Sequence, residues 1–103
     1  MSEQHPTNHL SVVHGHKYIS LTTFQKTGKG VATPVWFVRK EGKLCAWTQR
    51  HSGKVKRLRN NARITLAPCT VRGKILGPAV EGEARIVIHQ GIKSRLMLAC
   101  FYE

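Results

Sequence analysis

The feature that most constrains this chain is a series of five short runs rich in β-branched, aliphatic and aromatic residues, several alternating apolar with polar. A period of two is the pattern of a β-strand that buries one face. Turn sequences separate the runs, and the Glu41-Gly42 step is typical of a hairpin. Five strands in a hairpin rhythm with one helical stretch predict a mainly β domain, a small antiparallel barrel. The predicted strands cover residues 17–24, 31–40, 43–48, 62–69 and 79–88.

The second predicted strand divides its side chains between two faces. Pro34 has no N–H to give to a sheet, so it marks either a strand edge or a bulge. A bulge would open the backbone, and a flat ligand ring could then bind main-chain groups. The two predicted faces are Val31, Thr33, Val35 and Phe37 on one side, and Ala32, Pro34, Trp36 and Val38 on the other.

Residues 52–61 are predicted to form a short basic helix. Ser52 is a good N-cap, and Val55 and Leu58 fall on one face. Its first turns carry cations and no acid, although the amino end of a helix normally attracts acids. Such a helix start could bind a phosphate, but a solvated basic surface helix accounts equally well for the pattern. The cations are Lys54, Lys56 and Arg57.

The two ends of the chain have other patterns. Residues 1–16 are polar and contain four of the six histidines, which predicts a flexible segment before a domain at 17–103. In the last stretch, Ile92, Leu96 and Ala99 have helical spacing, which predicts a C-terminal helical tail.

The charge and the cysteines limit the partners of the protein. Seventeen Lys and Arg face five Glu and no Asp, a formal net charge of +12. That balance favours an anionic partner: a phosphorylated cofactor, nucleic acid or a membrane surface. No apolar run is long enough to span a bilayer. The three cysteines form no CxxC pair, which argues against a metal site or a disulfide framework and favours a cytoplasmic protein with reduced thiols.

Six segments of the chain, in this order and spacing, resemble one known family. They are Lys17 to Thr23, Ala32 to Val38, Trp47-Thr48, Ser52 to Asn61, Ile64 to Cys69 and Val80 to Arg85. The family is that of the pyridoxamine 5'-phosphate oxidase-like split β-barrels, and the most similar branch contains deazaflavin (coenzyme F-420)-dependent oxidoreductases. The family usually continues with a longer helix and another strand, so the chain is short at its carboxyl end.

The resemblance implies a homodimer that binds FMN or the deazaflavin coenzyme F-420 at the subunit interface. One group of residues would lie along the cofactor ring, and a second group would meet or surround its phosphate. The ring group is Thr33, Pro34, Val35 and Trp36, and the phosphate group is Thr48, Ser52, Gly53 and Lys54, with Lys56 and Arg57 nearby. Packing in the barrel core is the competing interpretation of Trp36 and Trp47.

The resemblance implies hydride transfer between the cofactor and a small organic substrate. No residue is an obvious acid, base or nucleophile, which suits an enzyme whose cofactor carries the reaction. Two alternatives remain, a cofactor-free basic barrel that binds nucleic acid through phosphates and a degenerate dimeric scaffold. Nucleic-acid binding is the weaker of the two leading hypotheses, because the basic residues do not interleave with aromatic residues that could stack on bases.

Overall fold

The computed structural model describes residues 12–40, 43–49, 52–88 and 95–101. These ranges contain six β-strands and one α-helix. In chain order they are β1 (Tyr18–Phe24), β2 (Gly30–Lys40), β3 (Lys43–Gln49), α1 (Gly53–Asn60), β4 (Arg63–Cys69), β5 (Val80–Ile88) and β6 (Arg95–Phe101). The predicted mainly β fold with one short basic helix is therefore confirmed.

The strands close into one antiparallel barrel in the order β1-β2-β3-β6-β5-β4. Strand β2 changes partners along its length, because residues 30–36 pair with β1 and residues 37–40 pair with β3. On their other side, residues 30–36 have no partner among the described strands. The barrel wall is split at this point, between the first half of β2 and the end of β3.

The alternation read from the sequence matches the burial of the side chains. In β2, Phe37 is buried whereas its neighbours Trp36 and Val38 are exposed. In β5, Ala84 is buried, while Glu81 and Glu83 point to solvent. The core consists of Val13, Ile19, Leu21, Phe37, Leu44, Ala46, Leu58, Ile64, Leu66 and Ala84.

Helix α1 packs against β1 and β5. Its buried residues are Val55 and Leu58, the pair whose spacing predicted one apolar face. Among the described residues, no helix is long and apolar enough to cross a membrane.

The described residues begin at Val12, before the predicted domain boundary at residue 17. His16 N donates to Val13 O at 3.0 Å, and the Val13 side chain is 1% exposed within the core. Burial of Val13 packs this turn, which falls within the segment predicted to be flexible, against the barrel. The rest of that prediction, residues 1–11, lies outside the described residues.

The predicted C-terminal helical tail is wrong where the structure describes it. Residues 95–101 form β6, which pairs with β3 on one side and β5 on the other. The segment is mostly apolar, and an apolar run of this length is compatible with either a buried strand or a helix. The unpaired edges of β3 and β5 decide the outcome, because a strand between them satisfies the backbone of both. Of the three residues with the predicted helical spacing, Ile92, Leu96 and Ala99, only Ile92 lies outside the described residues.

Candidate functional site at the split of the barrel

The start of helix α1 lies directly after the end of β3. Ser52 caps the helix, since its Oγ accepts from Val55 N at 3.4 Å. The same Oγ lies 3.2 Å from Thr48 Oγ1, which links the cap to the last residues of β3. The first turn contains no acidic residue. The first amides of the helix therefore sit in a positive environment without a carboxylate nearby in sequence.

Two of the predicted cations, Lys54 and Arg57, lie at this helix start. Arg57 Nε donates to Thr23 Oγ1 at 2.6 Å. A Cβ added to Gly53 would lie 2.9 Å from Arg57 Nη1, so the guanidinium rests against the first residue of the helix. Lys54 is half-buried, and this burial, together with the neighbouring Arg57 charge, lowers the pKa of its amine. The two positive charges therefore lie close enough to interact at a half-buried position, and a bound anion would offset their repulsion.

Lys56 is placed differently. Its side chain is exposed, whereas those of Lys54 and Arg57 are half-buried. On a helix, residues 54 and 57 share a face, and residue 56 lies some way around from both. Lys56 contributes charge to the surface of α1 and does not join the cluster at the helix start.

The predicted ring-binding residues lie on β2, along the open side of the split. Thr33 and Val35 are half-buried and face the barrel interior, while Pro34 and Trp36 face outward. Trp36 is 50% exposed, so the alternative that it packs in the barrel core is wrong. Thr33 Oγ1 is buried and has no hydrogen-bond partner in the described part of the chain. A buried hydroxyl normally has a partner, so a ligand group is one candidate for it.

The backbone of β2 is available at this edge. Phe37 N donates to Lys17 O at 3.2 Å, which makes these two residues a hydrogen-bonded pair of the β1–β2 ladder. In an antiparallel ladder such pairs alternate, so Ser20 and Pro34 form a non-bonded pair. The main-chain groups of Pro34 therefore point away from β1, toward the split. Register is continuous from Tyr18 to Phe24, so Pro34 marks a strand edge and not a bulge.

Thr48 links the two groups of predicted residues, because it contacts the cap of α1 and lies on β3, which borders the split opposite β2. Phe37 pairs with Ala46, and continuing that register would place Val35 opposite Thr48. The strands diverge there, and the pairing is not made. The structure therefore brings together Thr48, Ser52, Gly53, Lys54 and Arg57 around the start of α1, and it places Thr33 to Trp36 on the open stretch of β2.

Thr23 is a residue of this site that the sequence did not identify. It is 0% exposed and lies on the face of β1 that also carries Ile19 and Leu21. A hydroxyl at a core position is the one signal that could have singled it out. Its partner is 34 residues away along the chain, which no local pattern indicates.

The chain belongs to the pyridoxamine 5'-phosphate oxidase family, whose model matches residues 6–99. The resemblance read from the sequence is therefore confirmed. No curated protein matches the sequence at a significant level.

Solved structures with the same fold bind different groups. An F-420 reductase is 13% identical with a TM-score of 0.68, and the match covers 100% of this chain and 96% of that one. An FAD-binding protein from Mesorhizobium loti is 11% identical, with a TM-score of 0.70 and coverages of 97% and 91%. The heme storage protein HutZ from Vibrio cholerae is 9% identical, with a TM-score of 0.71 and coverages of 91% and 87%. At such identities the likeness establishes the fold and leaves the ligand open.

Proposed function

We propose that the protein binds FMN or coenzyme F-420 in the split of the barrel and transfers hydride between this cofactor and a small organic substrate. The observation that carries the proposal is the pair Lys54 and Arg57 at the capped start of α1, with no acid in the first turn. A phosphate supplies the missing negative charge, and helix amides, Lys and Arg are its usual ligands.

The other side of the split supports a ring-shaped ligand. The edge of β2 offers main-chain groups that no described strand uses. Thr33 Oγ1 offers a buried hydroxyl without a partner. Flavins and deazaflavins carry polar atoms along one side of a flat ring, which such an edge can bind. Bound there, the cofactor would supply the hydride chemistry, while the chain orients the ring and balances the phosphate charge.

We also propose that the protein is a homodimer. Among the residues whose side chains the structure describes, five large apolar ones are exposed. Gly73 lies close to Pro34, because a Cβ on it would be 3.8 Å from the proline ring. This contact brings the loop at 70–79 beside the outer face of β2. We call the exposed side chains the apolar surface, and burial between two copies would remove it from water. Its members are Trp36, Val38, Val71, Ile75 and Leu76, with exposures of 50, 39, 60, 53 and 49%.

A cytoplasmic location is part of the proposal. Cys45 and Cys69 are free and buried, and burial raises the pKa of the Cys69 thiol. Unpaired, unreactive thiols are compatible with a reducing compartment.

Nucleic-acid binding is the second candidate, favoured by the net charge of +12. Titrations with FMN, F-420 and an oligonucleotide at two salt concentrations separate the candidates. A barrel that neutralises about six phosphates should lose roughly a thousandfold in oligonucleotide affinity between 50 and 200 mM salt. Cofactor binding should weaken only modestly, because one phosphate and ring burial supply its affinity.

Each outcome of these titrations decides between the candidates. Cofactor binding that survives at 200 mM salt, with weak and salt-sensitive oligonucleotide binding, supports the oxidoreductase. Tight oligonucleotide binding at the higher salt with no cofactor binding supports the nucleic-acid module. No binding of either kind would support a dimeric scaffold.

A further inference from the structure

We infer that Thr23 is a positioning residue of the cofactor site, whose hydroxyl holds the Arg57 guanidinium at the start of α1 so that its Nη groups face the phosphate. The inference rests on the proposed function. It assigns the role to a core residue of β1 that lies outside both predicted groups of cofactor ligands.

The Thr23–Arg57 contact has the properties of a fixed anchor. Thr23 is 0% exposed, and Arg57 Nε reaches it at 2.6 Å. A hydrogen bond from a charged donor to a buried acceptor is short and strong compared with a neutral pair. Because a buried hydroxyl without a partner is costly, Thr23 and Arg57 stabilise each other's position.

This anchor occupies only one of the five N–H groups of the arginine. Arg57 makes no other hydrogen bond to a described residue, so no acceptor for its four Nη–H groups is found in that part of the chain. A Cβ on Gly53 would lie 2.9 Å from Nη1, 3.7 Å from Cζ and 3.8 Å from Nη2. The guanidinium therefore covers Gly53, beside the first free amides of the helix, and its unused donors are held at the predicted phosphate position.

A purely structural role for Thr23 makes different predictions. In that case the bond would only close the end of the barrel core, and its loss would lower stability without distinguishing one ligand from another. A positioning role requires that the loss be seen in binding of the phosphate. FMN and riboflavin differ by the phosphate alone and therefore separate the two roles.

The experiment compares Thr23→Val and Thr23→Ser with the wild-type protein. Valine keeps the shape and removes the hydroxyl, while serine keeps the hydroxyl. Affinities are measured for FMN and riboflavin, and also for F-420 and its deazaflavin fragment, which lacks the phosphate together with the tail attached to it. We expect Thr23→Val to weaken binding of the phosphorylated ligand about tenfold or more and to leave the phosphate-free ligand unchanged. Thr23→Ser should restore most of the affinity.

A readout without cofactor tests the anchor itself. The Arg57 Nε–H proton should exchange slowly in the wild type and in Thr23→Ser, and quickly in Thr23→Val. The exposed Arg59 on the same helix is the internal control, since its exchange should not change.

Three results would overturn the inference. Equal loss of affinity for FMN and riboflavin would assign Thr23 a structural role only. Unchanged FMN affinity in Thr23→Val would remove the positioning role while leaving the proposed function intact. If the wild type binds no flavin or deazaflavin, the proposed function fails and the phosphate role of Arg57 with it, while the exchange of Arg57 Nε–H still reports whether the anchor exists.

Discussion

The hydroxyl oxygens of Thr48 and Ser52 lie 3.2 Å apart, which ties the end of β3 to the cap of helix α1. Ser52 Oγ also accepts from Val55 N at 3.4 Å, so its own proton is free to be donated to Thr48. The two bonds fix where the helix begins relative to the barrel wall. The position of Lys54 and Arg57 at the split depends on this junction.

Replacing Ser52 by Ala should lower the free energy of unfolding by about 1 kcal/mol, the usual cost of losing a helix cap. Urea unfolding of the purified protein measures the change. Thr27→Ala is the control, because Thr27 accepts a 3.4 Å bond from Lys29 N in an exposed turn. The control should stay within about 0.5 kcal/mol of the wild type. Equal effects of the two substitutions would contradict a structural role for the cap.

Lys54→Ala should weaken binding of FMN or F-420 by about 1.5–3 kcal/mol, the cost of one charge-assisted contact. Isothermal titration or cofactor fluorescence gives the affinities. Lys26→Ala, in an exposed turn, removes the same charge away from the site and should have little effect. Lys56→Ala should fall between the two, because Lys56 is exposed on the same helix. Similar small losses for all three would indicate diffuse electrostatic attraction instead of a phosphate site.

Lys54→Met should stabilise the cofactor-free protein at pH 7, although it harms binding. Burial and the Arg57 charge lower the pKa of Lys54 from 10.5, so the folded state disfavours the charged amine. The penalty is fully present below the folded-state pKa, where both states are protonated, and disappears as pH rises through the window up to 10.5. The advantage of the variant in urea unfolding should therefore shrink as pH rises. The Lys26→Met variant is the control for the titration of the other lysines. A stability advantage of Lys54→Met that grows with pH would refute the lowered pKa of Lys54.

Gly53→Ala should reduce affinity for the phosphorylated cofactor while leaving the fold intact. The added Cβ would meet Arg57 Nη1 at 2.9 Å, and the tip of this long side chain can move aside. Alanine is also the better helix residue, so unfolding should change by no more than about 1 kcal/mol. Comparison of FMN with riboflavin detects displacement of the guanidinium. Unchanged FMN affinity would mean that Arg57 does not need this position.

The homodimer should sediment at twice the chain mass at micromolar concentration. Trp36→Glu places a charge in the apolar surface and should shift the protein toward monomer, because a buried unpaired charge opposes association. Glu substitution of the exposed Arg59, on helix α1 and outside the apolar surface, is the control and should leave the mass unchanged. A wild-type monomer that still binds cofactor would refute the dimer and the interface location of the site.

The strands that alternate in sequence were predictable, because burial on one face of a sheet imposes a period of two. Ala84 between Glu83 and Arg85 is a clear case, since only the alanine is buried. Strand β6 was not predictable in the same way. Its apolar run has no polar face, and its state is decided by pairing with β5, the preceding strand, and with β3, which lies far from it in sequence.

The candidate site likewise has some features that local sequence patterns predict and others that depend on tertiary packing. The cap at Ser52 follows from local rules of helix formation and was predictable, whereas anion binding by the cations after it stays a prediction. Which cations face the site depends on packing, and burial separates Arg57 from Lys56. The Thr23–Arg57 bond joins two elements that meet only in the folded barrel, so no pattern within either segment predicts it.

Pro34 at the open edge of β2 also bears on how copies of the protein can meet. An unpaired edge is a template on which a strand of another molecule can add, the first step toward fibrous aggregates. At Pro34 the nitrogen that faces the split carries no hydrogen. One carbonyl group of an incoming strand would therefore find no N–H donor on β2. Two copies are therefore expected to associate through side chains and not through a continuous sheet. The same edge can offer carbonyl oxygens to a small molecule while resisting growth into an aggregate.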